Sequence, residues 1–312
     1  MTDTIVPWAN LEDLERRLRD VGYLADRRIC TAAFLAARLE RPLLVEGPAG
    51  VGKTELARAL AEAQGRELIR LQCYEGIDES RALYDWEYGK QLLYTQLLKD
   101  HLVELVGAAS LDAAVDKLAT TDTLFFSERF LVARPLLHAI RSPRPVLLLI
   151  DEIDKADPEM EALLLEVLAD FAVTIPEIGT LRATTQPQVV LTSNNARDLS
   201  DPLRRRCLHL MIGFPERERE LAIVRARVPG IDEALARAVV GAVHKLRALD
   251  LRKPPSISEV IDWARALGVL GRGVIDEGTL RQTLGVLIKH RDDLETAEKR
   301  AGDIVRAATA PD

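Results

Sequence analysis

The stretch that most constrains this chain is Gly47-Pro48-Ala49-Gly50-Val51-Gly52-Lys53-Thr54. It fits the pattern G-x-x-x-x-G-K-[ST], in which glycines let the main chain wrap a phosphate with its N–H groups turned inward. Just before it, Pro42-Leu43-Leu44-Val45 is a short apolar run closed by proline and glycine, the pattern of a buried strand. Just after it, Thr54 to Ala63 has helical composition. Strand, loop and helix in that order set the positive end of a helix at the loop, which favours an anion. That context separates a phosphate loop from a plain glycine turn. Gly47, Pro48, Ala49, Gly50, Val51, Gly52, Lys53, Thr54 and the adjoining Glu55 are therefore the expected nucleotide contacts. Lys53 is expected to reach the β- and γ-phosphates, and the Thr54 hydroxyl to take Mg²⁺.

The same alternation recurs along the chain. Glu67 to Cys73 alternates as a second strand, and Val146 to Ile150 is an apolar run covered on both faces. Gln188 to Thr192 and Leu208 to Ile212 add two more strands, and Pro158 to Phe171 reads as a helix. Two helices are expected within residues 9–40. The fold class is thus α/β, with a mostly parallel five-stranded sheet. Residues 90–140 are largely helical in pattern, so a helical insertion is expected there. After Pro215 no strand pattern returns. Segments 216–228, 231–249, 257–270 and 276–290 read as helices, and the last dozen residues are expected to fray. The expected division is 1–215 for the nucleotide-binding domain and 216–312 for a small helical domain.

The apolar strand at 146–150 ends in Asp151-Glu152. A carboxylate at a strand tip can hold Mg²⁺ through its water shell, which assigns Asp151 with Thr54 to the metal. Glu152, one residue on, can polarise an attacking water, and so argues for hydrolysis rather than phosphoryl transfer to a metabolite. The strand at 188–192 ends in Ser193-Asn194-Asn195, a polar tip that suits the γ-phosphate or the water as well as it suits a capped turn. Arg204-Arg205-Arg206 is either a solvated basic face or the source of an arginine that stabilises transition-state charge in a neighbouring subunit.

The net charge of −7 and a pI of about 5.5 supply no general pull toward nucleic acid. No apolar run approaches the ~20 residues of a membrane span. The opening residues lack the basic-then-apolar order of a secretion signal. Cys30, Cys73 and Cys207 are odd in number and far apart, which points to a reducing, cytoplasmic setting without disulfides. Four of the five tyrosines and one tryptophan fall within Tyr74, Tyr84, Trp86, Tyr88 and Tyr94. That enrichment fits either a client-facing surface or a packed aromatic cluster.

Phosphate loop, Asp-Glu strand end, Asn strand end, arginine cluster and helical C-terminal part together resemble an AAA+ ATPase. Helices between the second and third strands resemble the branch that contains MoxR-type ATPases. The strings Leu71-Gln72-Cys73-Tyr74-Glu75-Gly76, Leu199 to Cys207 and Pro255-Ser256-Ile257-Ser258-Glu259 resemble the CoxD-like group of that branch. The resemblance implies an AAA+ core with a C-terminal helical lid, binding ATP and Mg²⁺. It implies that Asn194 is sensor 1 and that Arg206, with Arg205 as alternate, is the arginine finger. An AAA+ lid usually supplies an arginine where this chain has Ser256-Ile257-Ser258-Glu259, leaving Arg252, Lys253 or Arg265 as substitutes. The resemblance further implies a hexameric ring that acts as a chaperone-like remodeller with a von Willebrand factor A domain partner. The client it implies is a metalloenzyme of the molybdenum-hydroxylase type. The alternative is an AAA+ ring acting on nucleic acid; a third reading is a nucleotide-regulated scaffold that does not hydrolyse.

Overall fold

In a computed structural model of the chain, residues 8–94, 96 and 127–309 are described. Nine strands occur among them. Five form one sheet in the order β2-β5-β8-β1-β9: β1 is Leu43–Glu46, β2 Glu67–Gln72, β5 Val146–Asp151, β8 Gln188–Ser193 and β9 Leu208–Met211. β2 runs parallel to β5, from Glu67 beside Val146 to Gln72 beside Asp151. β5 runs parallel to β8, from Leu147 beside Gln188 to Ile150 beside Leu191. The α/β expectation and its five strands are met. β5 is buried at every position, which is why its sequence is an unbroken apolar run rather than an alternating one. β2 is an edge strand, and alternates: Ile69 and Leu71 are buried while Arg70 is exposed and Gln72 half-buried.

The chain divides into two compact units. One is Ala36–Leu44 with Gly65–Leu208. Its core joins Ile69, Leu71, Leu148, Ile150, Val189 and Leu191 from the strands to Met160, Leu164 and Val167 of the helix Pro158–Asp170. That helix starts where Asp157 accepts a hydrogen bond from the Met160 N–H at 3.0 Å, with Pro158 at its first position. The other unit is Met1–Leu35, Val45–Gln64 and His209–Asp312. Its C-terminal part packs helices Arg217–Arg227, Glu233–Arg247, Ile257–Val269 and Glu277–Leu287 around Val239, Val243, Trp263 and Leu280.

Several expectations need correction. The inserted segment is expected to be largely helical across 90–140; 95 and 97–126 lie outside the described residues, and 90–94 and Pro135–Arg141 are helical. Beside that stretch, β3 (Tyr84–Trp86) pairs antiparallel with β4 (Leu131–Ala133). Three-residue strands are too short to carry a period, so sequence pattern does not reveal them. A hairpin of β6 (Ala172–Ile175) and β7 (Gly179–Arg182) was likewise not anticipated. The C-terminus does not fray from residue 301: Ala301–Thr309 is a helix whose Ile304 is fully buried, and Arg291–Lys299 precedes it. Of the aromatic group, Tyr84 and Trp86 stack edge to face and pack on the core, which favours packing over client contact for these two. Tyr88, by contrast, is exposed.

Candidate active site

The phosphate loop joins β1 to the helix Lys53–Gln64. Gly47, Gly50 and Gly52 all have positive φ. At Gly47 an added Cβ would lie 1.9 Å from the Ile212 carbonyl oxygen, and at Gly50 it would lie 2.3 Å from Ser256 Cβ. Both positions therefore exclude a side chain on conformational and steric grounds. The buried Lys53 ammonium donates to the carbonyls of Gly47 and Pro48, each at 2.7 Å, and so is folded over its own loop. Glu46, buried just before the loop, is paired with His209.

A cavity of about 300 Å³ adjoins the loop, lined by Tyr23, Gly50 to Gly52, Ile257 and Ile261 among others. Its walls are mostly apolar, with Arg219, Arg227 and Arg265 at the lining. A planar base needs such walls and a few directed polar groups. Tyr23 sits beside Gly52, and burial pushes its phenol well above the ordinary range. Arg227 pairs with Glu55 at 2.6 Å, and Arg265 donates to the Arg227 carbonyl at 3.1 Å. Of the three substitutes considered for the missing lid arginine, Arg265 lines this cavity. The Arg252 and Lys253 N–H groups instead bond Asp293 at 2.8 and 3.1 Å. Where that arginine was expected, Ser256 and Glu259 form a capping box, and the Ile257 N–H donates to the Gly50 carbonyl at 3.2 Å.

The acidic pair lies in the other unit. Strand register places Gln72, Asp151 and Thr192 side by side at the carboxyl ends of β2, β5 and β8. Asp151 is buried; its Oδ1 accepts from the Thr192 hydroxyl at 2.6 Å and its Oδ2 from Arg70 Nε at 3.0 Å. Glu152 has φ 57° and ψ 49°, a left-handed conformation that a glutamate seldom adopts. Its N–H donates to the Thr192 hydroxyl at 2.9 Å, while its carboxylate accepts from Gln72 Nε2 at 2.9 Å, Lys155 Nζ at 2.6 Å and Asn194 Nδ2 at 3.3 Å. Strain held in place by so many contacts is a mark of a working site. The Asn194 loop is fixed by Asp154, whose buried carboxylate accepts the N–H groups of Asn194 and Ala196 at 3.1 and 3.0 Å. Burial, with the nearby carboxylates second, pushes the Cys73 thiol up to about 12.

The sequence reading therefore located Asp151, Glu152 and Asn194, and the structure brings these three together. Arg205 and Arg206 are exposed at the end of the short helix Asp201–Arg206, away from any contact with them that the structure records. Arg41 donates to the carbonyls of Arg205 at 2.6 Å and of Arg206 and Cys207 at 3.2 Å, so a side chain caps the helix that carries both arginines. Sequence reasoning missed Arg70, Gln72, Asp154, Thr192 and Arg41. Strand parity could have found Arg70 and Gln72, which share the face of β2 opposite the buried Ile69 and Leu71. Tyr23 and Arg227 gave no comparable signal.

Chemically, the loop offers N–H donors and one ammonium, and the acidic pair offers one buried oxygen ligand and one exposed-side base. Among the described residues, no three His, Cys, Asp or Glu side chains are grouped to hold a metal ion. A divalent cation at Asp151 would take its other ligands mainly from water and phosphate, an all-oxygen set that suits Mg²⁺. Among the described residues no helix is long and apolar enough to cross a membrane.

Comparison with known proteins gives a family and several distantly similar solved structures. The family described as ATPase family associated with various cellular activities (AAA) matches residues 43–215, more than half of the chain. Among solved structures, a point mutant of Thermotoga maritima RuvB is 16% identical with a TM-score of 0.47, covering 90% of this chain and 71% of its own. The Thermotoga maritima RuvB Holliday junction branch migration motor is 15% identical with a TM-score of 0.45, covering 90% and 73%.

Proposed function

The chain belongs to the AAA family of ATPases, and on that premise we propose that it is a MoxR-type, CoxD-like remodeller of proteins. Nucleotide binding and ATP hydrolysis follow from the family. The proposal adds the residues and the purpose. Lys53 and the loop N–H groups hold the β- and γ-phosphates, and Thr54 and Asp151 hold Mg²⁺, which supplies charge neutralisation on the phosphates. Glu152 accepts a proton from the attacking water while Asn194 orients that water or the γ-phosphate. Arg206, or Arg205 in its place, serves the next subunit of a ring. Residues 1–215 act as the ATPase domain and 216–312 as its lid.

One observation carries the hydrolytic part: Glu152, held in a left-handed conformation by Gln72, Lys155, Asn194 and Thr192 beside Asp151. A carboxylate kept there at the cost of backbone strain suits a base better than a loop residue. Protein remodelling rests on the CoxD-like strings and on the acidic balance of the chain. The proposed partners are a second, third and further copy of the chain, a von Willebrand factor A domain protein, and a client metalloenzyme of the molybdenum-hydroxylase type. The test is capture by the Glu152→Gln protein with ATP. Nucleotide-dependent retention of a von Willebrand factor A domain protein and a metalloenzyme supports the reading. Salt-sensitive stimulation of hydrolysis by DNA, without such retention, would replace it with the nucleic-acid alternative.

A further inference from the structure

Arg70 is the group at this site that the proposed reaction leaves unexplained. It sits on the edge strand β2, on the strand face opposite Ile69 and Leu71. Its guanidinium grips Asp151 Oδ2 through Nε at 3.0 Å and Nη2 at 2.5 Å. The same Nη2 also donates to Gln72 Oε1. That bond fixes the amide so that its Nε2 faces Glu152 Oε2, at 2.9 Å. Two residues at strand spacing thus link the carboxylate assigned to the metal with the carboxylate assigned to the water.

We infer that Arg70 competes with the divalent cation for Asp151, so that loading the metal loosens the hold of Gln72 on Glu152. Resting on the nucleotide-hydrolysis reading above, the argument is electrostatic. Asp151 is almost fully buried, and its charge is neutralised at Oδ2 by a guanidinium whose side chain is 42% exposed. A partly exposed arginine can swing into water without losing its solvation, whereas the carboxylate cannot follow it. A dication arriving at Asp151 therefore meets a positive charge that must move away first. Once it has moved, Gln72 Oε1 loses its donor, and beside Glu152 the amide keeps only the longer bond from its Nε2 to the Cys73 carbonyl, at 3.3 Å. Arg70 is a positioning residue in this account, since it acts through Asp151 and Gln72.

The test is the Mg²⁺ dependence of fluorescent mant-ATP binding, read at equilibrium so that turnover plays no part. Arg70→Gln removes the competing charge, and its half-saturating Mg²⁺ concentration is expected to fall about three- to ten-fold. Arg70→Lys keeps a charge at the site and should stay close to the parent. Gln72→Ala leaves the Arg70–Asp151 pair in place but removes the Arg70–Gln72 bond that metal loading has to break, so its Mg²⁺ midpoint should fall, though less far than that of Arg70→Gln. An unchanged or raised midpoint in Arg70→Gln, with Lys53-dependent binding intact, would overturn the competition while leaving the hydrolase reading standing. Mg²⁺-dependent binding absent from the parent would overturn both. Should Arg70→Gln fail to fold, the lysine variant carries the test through its own prediction: a midpoint shifted as far as loss of charge would shift it contradicts the account.

Discussion

At the residue scale, the phosphate loop makes the sharpest predictions because its geometry admits so little. Gly47→Ala would drive a methyl group against the Ile212 carbonyl at a positive φ. Denaturant unfolding should show a loss of more than about 1 kcal/mol, since the substitution is wrong both for the dihedral and for the space. A loss of a few tenths would mean that the loop relaxes freely. Lys53→Ala removes the one ammonium held by the loop carbonyls and should abolish measurable ATP affinity. Loop and acidic pair were legible in the sequence because each is a short contiguous string whose chemistry is dictated by residue type. Asp154 and Thr192 were not, because their work is to hold the backbone of Asn194 and Glu152 from positions some forty residues away.

Among the elements, legibility followed burial. β5 announces itself through an unbroken apolar run, β8 through Val189-Val190-Leu191, and the helix Pro158–Asp170 through its spacing and its Asp-Pro start. The β3–β4 ribbon and the β6–β7 hairpin did not, since three or four residues fix no period and their partners are set by tertiary packing. Arg291–Lys299 escaped because so charged a segment shows little apolar spacing, and Ala301–Thr309 because a position at the chain end suggests fraying although Ile304 and Ala308 form a buried stripe. The ribbon gives a prediction of its own. Tyr84→Ala with Trp86→Ala should destabilise the protein clearly, because both rings pack on the core, up to the ~3–5 kcal/mol of a fully buried aromatic. Tyr88→Ala, at an exposed ring, should leave thermal stability within the scatter of surface changes. A stable double variant would return the segment to the client-facing reading. In the helical C-terminal part, Ser256→Ala breaks the capping box of Ile257–Val269 and should cost about 1 kcal/mol.

For the whole molecule, the account joins a family membership to a division of labour. The loop with its cavity belongs to one compact unit, the carboxylates with Asn194 to the other. Arg206 is exposed on a helix whose end Arg41 caps, an arrangement suited to presenting a cation outward. If that cation serves a neighbouring subunit, Arg206→Ala should keep ATP affinity and lose turnover, toward the ~10³–10⁵ typical of such fingers. Mixing Arg206→Ala chains with Lys53→Ala chains should recover activity, because some interfaces then unite an intact loop with an intact finger. No recovery, together with turnover by a species that stays monomeric in sedimentation, would remove the shared site. The central claim, that Glu152 activates the water, is tested most directly by measuring phosphate release and mant-ATP affinity in Glu152→Gln. The account predicts affinity near the parental value and release slowed about a hundredfold or more. Parental turnover in that variant, or a loss of affinity as complete as that of Lys53→Ala, would contradict it.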